Sequence, residues 1–170
     1  LGYKTCLDVC SGAGCICISI ANLCVTEGTL ADISEAALSL CRENAEANGV
    51  SIRTIKTDML DEITDRYDII VCNPPYLTSS DMASLQRELT FEPANALYGG
   101  EDGLDFYRAI VENYTPALKK GGFVCFEFGM GQGDDVCRIL EENGYAILER
   151  TRDYNDRERA VLAQYGRKED

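Results

Sequence analysis

The sequence predicts an α/β fold: a mostly parallel, seven-stranded sheet with helices on both faces, ending in a C-terminal antiparallel hairpin. Two observations predict it. Short apolar runs of strand length alternate with runs of helix length along the chain, the pattern of parallel strands joined by crossover helices. The last two strand-like runs are joined by a charged loop with no helix between them, so that connection reverses direction.

Residues 5–10 read as a short buried strand that carries an acid, Asp8, and runs into a glycine-bearing turn. Residues 15–25 read as an apolar helix, and residues 29–32 as a second strand, again ending in an acid, Asp32. Ser34 is placed to cap a helix over residues 35–47, and Asn48-Gly49 stops it, because Gly and Asn tolerate the left-handed backbone that ends helices. Residues 51–56 alternate like a third strand. Residues 67–72 form a buried apolar fourth strand, broken by Asn73-Pro74-Pro75. Residues 76–103 are loop-rich, with one short helix near 82–87. A helix over 104–118, a turn at Gly121-Gly122 and a fifth strand over 123–128 follow. Residues 133–142 form a helix closed by Asn143-Gly144, and strands over 145–150 and 160–165 flank the charged loop 152–159.

The chain has 170 residues, of which 45% are hydrophobic, enough for one domain with a real core. No apolar run approaches the roughly 18 residues of a membrane span, and Leu1 to Tyr3 lead straight into the first strand without a signal peptide. The first residue is not Met, so the sequence is expected to be a piece of a longer protein. The formal net charge is −13. Binding phosphates rewards Lys and Arg, so a nucleic-acid substrate is disfavoured and a basic or neutral protein partner fits better.

Nine cysteines suggest disulfides or zinc, but no Cys-x-x-Cys pair occurs and most sit in apolar runs. They read as reduced core thiols, and no metal ligand is assigned. Histidine is absent, which removes Ser-His-Asp and Cys-His catalysis and the commonest zinc ligand.

Ligands of such sheets sit at the carboxyl ends of the strands. After the first strand come Asp8, Cys10, Ser11, Gly12, Ala13 and Gly14, small residues that let a ligand approach the backbone. Cys17 stands where a dinucleotide fingerprint needs its third glycine, and no Gly-Lys-Ser/Thr occurs, so pyrophosphate binding loses on both counts. Asp32, followed by Ile33, ends the second strand, where a carboxylate can accept both ribose hydroxyls. Asp58 follows the third, where it can accept an adenine amino hydrogen with Met59 against the ring. Alone, each has a bland reading: a mere turn, a solvated acid, an ordinary core methionine. Placed at three successive strand ends they describe a site for a nucleoside without phosphates, and S-adenosyl-L-methionine is the common cofactor of that description, leaving S-adenosyl-L-homocysteine as product.

Asn73, Pro74, Pro75 and Tyr76 follow the fourth strand directly. Consecutive prolines fix the backbone and remove N–H donors, so the Pro74 carbonyl is free to accept. The Asn73 side-chain oxygen is a second acceptor, and Asn73 also borders the cofactor. Two acceptors at a fixed angle match an –NH2 group, and Tyr76 can wall a pocket around a flat amide. Turned by those bonds, the nitrogen lone pair faces a sulfonium methyl, and positioning supplies the catalysis. The bland alternative is a proline-stiffened turn without chemistry.

Asn-Pro-Pro-Tyr, with the Cys10 to Gly14 turn and Asp32, resembles the Rossmann-like class I amino-methyltransferases. Phe91-Glu92-Pro93, Ala96-Leu97 and Gly99-Gly100-Glu101-Asp102-Gly103-Leu104 resemble the protein-glutamine N5-methyltransferases. The ending Arg152-Asp153-Tyr154-Asn155-Asp156-Arg157-Glu158-Arg159 is similar to the release factor (HemK/PrmC) branch. The resemblance implies that residues 1–170 are the catalytic domain, without the family's N-terminal helical docking domain. It implies methylation of the Gly-Gly-Gln glutamine of a peptide chain release factor in the cytoplasm. It also implies roles: Asn73 and the Pro74 carbonyl on the substrate amide, Asp32 on the ribose, the Cys10 to Gly14 turn on the methionine part. Cys10 departs from the glycine usual there, and Phe128 from a frequent histidine. A ribosomal-protein glutamine methyltransferase, an adenine or guanine N-methyltransferase of nucleic acid and a non-enzymatic nucleoside-binding module are the competing readings.

Overall fold

The computed structural model describes residues 4–24, 27–59, 63–85, 91 and 93–166. Five strands run in parallel: β1 (Thr5–Val9), β2 (Glu27–Asp32), β3 (Ile52–Lys56), β4 (Tyr67–Cys72) and β5 (Leu118–Glu127). β6 (Tyr145–Arg152) and β7 (Glu158–Tyr165) form the antiparallel hairpin. The sheet order is β3-β2-β1-β4-β5-β7-β6. β7 pairs with β5 as well as with β6, so the hairpin enters the sheet by its second strand.

The helices are α1 (Cys15–Leu23), α2 (Glu35–Ala47), α3 (Ser79–Ala83), α4 (Asp105–Tyr114) and α5 (Gly133–Glu142). Strand alternation sorts the core onto two faces. Cys6, Leu30 and Val71 pack with Cys17 of α1 and Cys41 of α2 on one face. Leu7, Val9, Ala31, Ile70 and Cys72 pack with the apolar sides of α4 and α5 on the other. Three thiols thus serve as small apolar fillers in the first face. Hydrogen bonding with Cys17, together with burial, pushes the Cys6 thiol up, keeping it protonated. Cys15 and Cys24 differ from the core expectation, since both are exposed.

Local signals explain several boundaries. The Ser34 hydroxyl accepts the Ala37 N–H at 3.3 Å and starts α2. Gly49, at φ +66°, ends the segment in a conformation that costs a side chain strain. Three expectations shift. The short helix lies at Ser79–Ala83, started by a reciprocal Thr78–Asp81 capping box; of the segment expected to be helical, 82–87, only Met82 and Ala83 are helical, Ser84 and Leu85 are not, and 86–87 lie outside the described residues. α4 ends at Tyr114 and the chain tightens into a 3-10 turn at Thr115–Ala117, with Pro116 inside it. Gly121 and Gly122 lie inside β5, where they accompany an irregularity in its pairing with β4 between Tyr67 and Ile69.

The strand order reverses between β1 and β4, which flank the crevice where ligands of such sheets bind. Register brings the relevant ends level. Val9 stands beside both Ala31 and Cys72, and Asp32 beside Lys56. Cys10, Asp32 with Ile33, and Asn73 therefore leave the sheet on one rim.

Candidate active site

The loop after β1 takes the left-handed conformation at Cys10, Gly12 and Gly14, with φ of +56°, +53° and +79°. It bends tightly, the Gly14 N–H donating to the Ser11 carbonyl at 2.7 Å. A methyl group at Gly14 would lie 2.5 Å from Leu30 Cδ2, so glycine is required for α1 to approach β2. The outer side of the loop is held by α2, through Asn44 Nδ2 to the Ala13 carbonyl at 2.9 Å and Cys41 Sγ to the Gly12 carbonyl at 3.1 Å.

Asp32 organises the rim. Its Oδ2 accepts the Gly12 N–H at 2.9 Å and its Oδ1 accepts the Ser34 N–H at 2.8 Å. One carboxylate thus joins the β1 and β2 loops in a fixed orientation, and each oxygen keeps a lone pair for a ligand. Asp8 is placed differently. It is 1% exposed, and its Oδ2 accepts the Cys17 N–H at the start of α1. Burial pushes its carboxyl up to about 7, against the pull of the Cys17 N–H, and Asp32 adds a further upward push. Asp8 therefore stands behind the loop.

A cavity of about 550 Å³ opens on this rim. Cys10, Gly12, Asp32, Ile33, Asp58, Met59 and Asn73 line it, while Asp8, Ser11, Ala13 and Gly14 support it from outside. Two carboxylates, Asp32 and Asp58, and no basic side chain border it among the described residues. Met59 is held at φ +68°, its N–H on Thr57 Oγ1 and its carbonyl on Asn113 Nδ2. Such a backbone is strained for a non-glycine residue, and here it directs Met59 to the cavity wall.

Asn73 and Pro75 face this cavity and also a second one of about 210 Å³, lined by Asn73, Pro74, Pro75, Tyr76, Leu77, Ala96 and Leu97. The four residues after β4 therefore form the partition between two cavities. Among the described residues the Asn73 side chain has no hydrogen-bond partner, so its amide is available to a ligand. Burial pushes the Tyr76 phenol up, with a further push from Glu127, so it remains neutral at ordinary pH.

Residues 2–104 match the model of the methyltransferase small domain, MTS. The chain belongs to the methyltransferase small domain family. The family match runs from β1 through the partition and stops one residue before α4. A release factor glutamine methyltransferase of Clostridium acetobutylicum is 36% identical over 171 residues, covering 96% of this chain and 60% of that protein. The chain thus spans about three fifths of that relative's length. Among solved structures, a ribosomal protein L11 methylase from Lactobacillus delbrueckii subsp. bulgaricus superposes with a TM-score of 0.71 at 20% identity, over 98% of this chain and 72% of the other. The N-methyltransferase NodS from Bradyrhizobium japonicum, in complex with S-adenosyl-L-homocysteine, gives 0.67 at 16% identity over 97% and 79%. The fold is the class I methyltransferase fold.

Sequence reading of this methyltransferase small domain missed part of the lining. Ala37, Thr57, Asn95, Ala96 and Phe106 also border the larger cavity. Ala37 lies one α-helical turn beyond the Asp32–Ser34 corner, which the capping signal could have flagged. Phe106 comes from α4, and nothing local marks it. Gln132, outside the family match, was also missed, although it touches the backbone of Tyr76.

Proposed function

We propose that residues 1–170 are the transferase unit of a release factor glutamine methyltransferase. They move a methyl group from S-adenosyl-L-methionine to the side-chain amide nitrogen (N5) of the glutamine in a Gly-Gly-Gln motif. The observation that carries this reading is the partition: Asn73 and Pro75 border both cavities, so donor and acceptor would meet across them. The 36% identity to a release factor glutamine methyltransferase supports the choice of acceptor.

The larger cavity suits the cofactor. Its volume is in the range of small-molecule sites. Its apolar wall of Val9, Ala31, Ala37, Met59 and Phe106 offers contact to a purine, and Asp32 and Asp58 offer acceptors. The lack of a basic side chain among its described lining disfavours phosphates and favours a cationic ligand. Asp32 would take the ribose hydroxyls, Asp58 and Met59 the adenine, and Cys10 and Gly12 the methionine part. Ser11, Ala13 and Gly14 shape that turn, and Asp8 anchors it to α1. When bound, the cofactor supplies an electrophilic methyl group on a sulfonium.

The chain's own residues do the rest. Asn73 Oδ1 and the Pro74 carbonyl accept the two amide hydrogens and turn the nitrogen lone pair toward the larger cavity. Those oxygens would then face the positive charge that develops on nitrogen as its bond to the methyl carbon forms and the methyl–sulfur bond breaks, leaving a neutral thioether, and the nitrogen would give up one of its two protons to solvent. Tyr76 walls the smaller cavity and excludes water from one side. Orientation of a weak nucleophile supplies the acceleration, and no histidine base is required.

The protein partner is a peptide chain release factor, and the compartment is the cytoplasm where that partner works. Among the described residues no helix is long and apolar enough to cross a membrane. Labelled methyl transfer to release factor, ribosomal protein and DNA, run in parallel with the Asn73→Ala variant as control, tests the reading. Label on the release-factor glutamine, lost in the variant, is expected. Label on ribosomal protein alone, or on DNA alone, overturns the acceptor assignment.

A further inference from the structure

One side-chain amide outside the lining of both cavities gathers the back of the acceptor pocket. Gln132 precedes α5. Its Oε1 accepts the Gly129 N–H at 2.9 Å, and its Nε2 donates to the Tyr76 carbonyl at 3.0 Å and to the Gly103 carbonyl at 3.2 Å. An N–H on one side and two carbonyls on the other allow only one orientation of the amide. The backbone fixes it further, since the Gln132 N–H donates to the Gly129 carbonyl at 3.2 Å.

The surroundings are shaped to this contact. A methyl group at Gly103 would lie 2.3 Å from the Tyr76 carbonyl oxygen and 2.5 Å from Gln132 Nε2. One at Gly129 would lie 2.8 Å from Gln132 Oε1 and 2.9 Å from Tyr76 Cδ2. Two glycines therefore leave room for one amide to hold Tyr76 by its main chain while its ring rests on Gly129. Residues next in the chain extend the brace, with the Leu77 N–H on the Leu97 carbonyl and the Gly99 N–H on the Leu77 carbonyl, each at 2.9 Å.

We propose that Gln132 is a positioning residue for the acceptor step: it fixes Tyr76, and through it the Pro74–Pro75 turn, against the loop after β5 and the 99–104 loop. The proposal rests on the reading of the smaller cavity as the acceptor pocket. A side chain that merely capped α5 would need neither the Tyr76 nor the Gly103 carbonyl. Acting through Tyr76, Gln132 affects the alignment of the acceptor nitrogen and leaves the cofactor cavity, which it does not line, intact.

Two variants test this in the full-length protein. Gln132→Met keeps length and loses all three bonds. The expected result is a fall of about tenfold to thirtyfold in kcat for the acceptor, with the dissociation constant for S-adenosyl-L-methionine within about threefold. Gln132→Glu keeps an acceptor for Gly129 but sets a carboxylate against two carbonyls, so its deficit should narrow as the pH falls and the carboxyl gains a donating proton. A Gln132→Met kcat within about threefold of wild type overturns the proposal. So does a loss of kcat, cofactor affinity and melting temperature in step. If the unaltered protein methylates no glutamine, the acceptor reading falls, and hydrogen–deuterium exchange then decides the tether. Exchange in Gln132→Met should accelerate over 73–78 and 99–104 and stay unchanged over 8–17; equal exchange in both proteins refutes it.

Discussion

Replacing Asp32 by alanine should weaken cofactor binding far more than turnover at saturating cofactor. The carboxylate does two things at once. It accepts the Gly12 and Ser34 N–H groups at 2.9 and 2.8 Å, and it stands in the wall of the larger cavity. A hydrogen bond to a charged group contributes about 1.5–3 kcal/mol, so losing the contact to the ribose should raise the dissociation constant about tenfold to a hundredfold. Losing the two N–H partners also frees the corner between the β1 and β2 loops, so the alanine variant should melt earlier as well. Asp32→Asn separates the effects, because it keeps one oxygen acceptor at the corner and gives up the charge. Its affinity should fall between wild type and alanine. Titration calorimetry with S-adenosyl-L-methionine, alongside thermal melts, measures both quantities. Unchanged affinity in the alanine variant would refute the ribose assignment, whatever happened to the melting temperature.

Asn73→Ala should lower turnover by about a hundredfold or more while cofactor affinity stays within a few fold, since its oxygen acts on the reacting nitrogen; single-turnover methyl transfer measures this, and turnover within about threefold of wild type would make the motif structural. Gly14→Ala should destabilise the fold by about 1–3 kcal/mol, because its new methyl would meet Leu30 and its backbone stays at φ +79°; denaturant titration reads the loss. Asp8 predicts a pH effect. Its carboxyl is pushed from 3.8 up to about 7 in the folded protein, chiefly by burial. The folded state therefore holds a proton that the unfolded chain releases, so stability falls as pH rises from about 4 toward about 7 and then levels. Melting temperatures of Asp8→Asn across that interval should decline less steeply than those of wild type, and parallel profiles would contradict the assignment.

Legibility in the sequence followed the range of the forces. α2 and α5 have the bounds expected of them, Glu35–Ala47 and Gly133–Glu142, because the Ser34 hydroxyl and the Asn-Gly stops act within a few residues. β4 likewise ends where two prolines withdraw its N–H donors. Asp8 shows the limit. Its place near a strand end was readable, but whether its carboxyl turned toward a ligand or toward the first turn of α1 depended on how closely α1 packs, which Gly14 and Leu30 decide in space. The Gly121-Gly122 pair looked like a turn, yet β5 pairs with β4 on both sides of it, at Leu118 and at Phe123, and the strand continues across the irregularity. Gln132 had no local signature, because its partners Tyr76 and Gly103 lie 56 and 29 positions away.

The place of β7 has a consequence for synthesis. Among the described residues β6 is an edge strand of the sheet and pairs with β7, which leaves the ribosome after it. While β6 emerges, β5 still presents an open flank where β7 will sit. A nascent chain halted at the Asp153–Arg157 turn thus carries an unpaired flank on β5, on the side away from β4, and a β6 segment whose partner strand has not yet emerged. Chains emerge over seconds, far more slowly than hairpins close. The sheet is therefore completed by the later strand, which joins β5 on one side and β6 on the other in a single step.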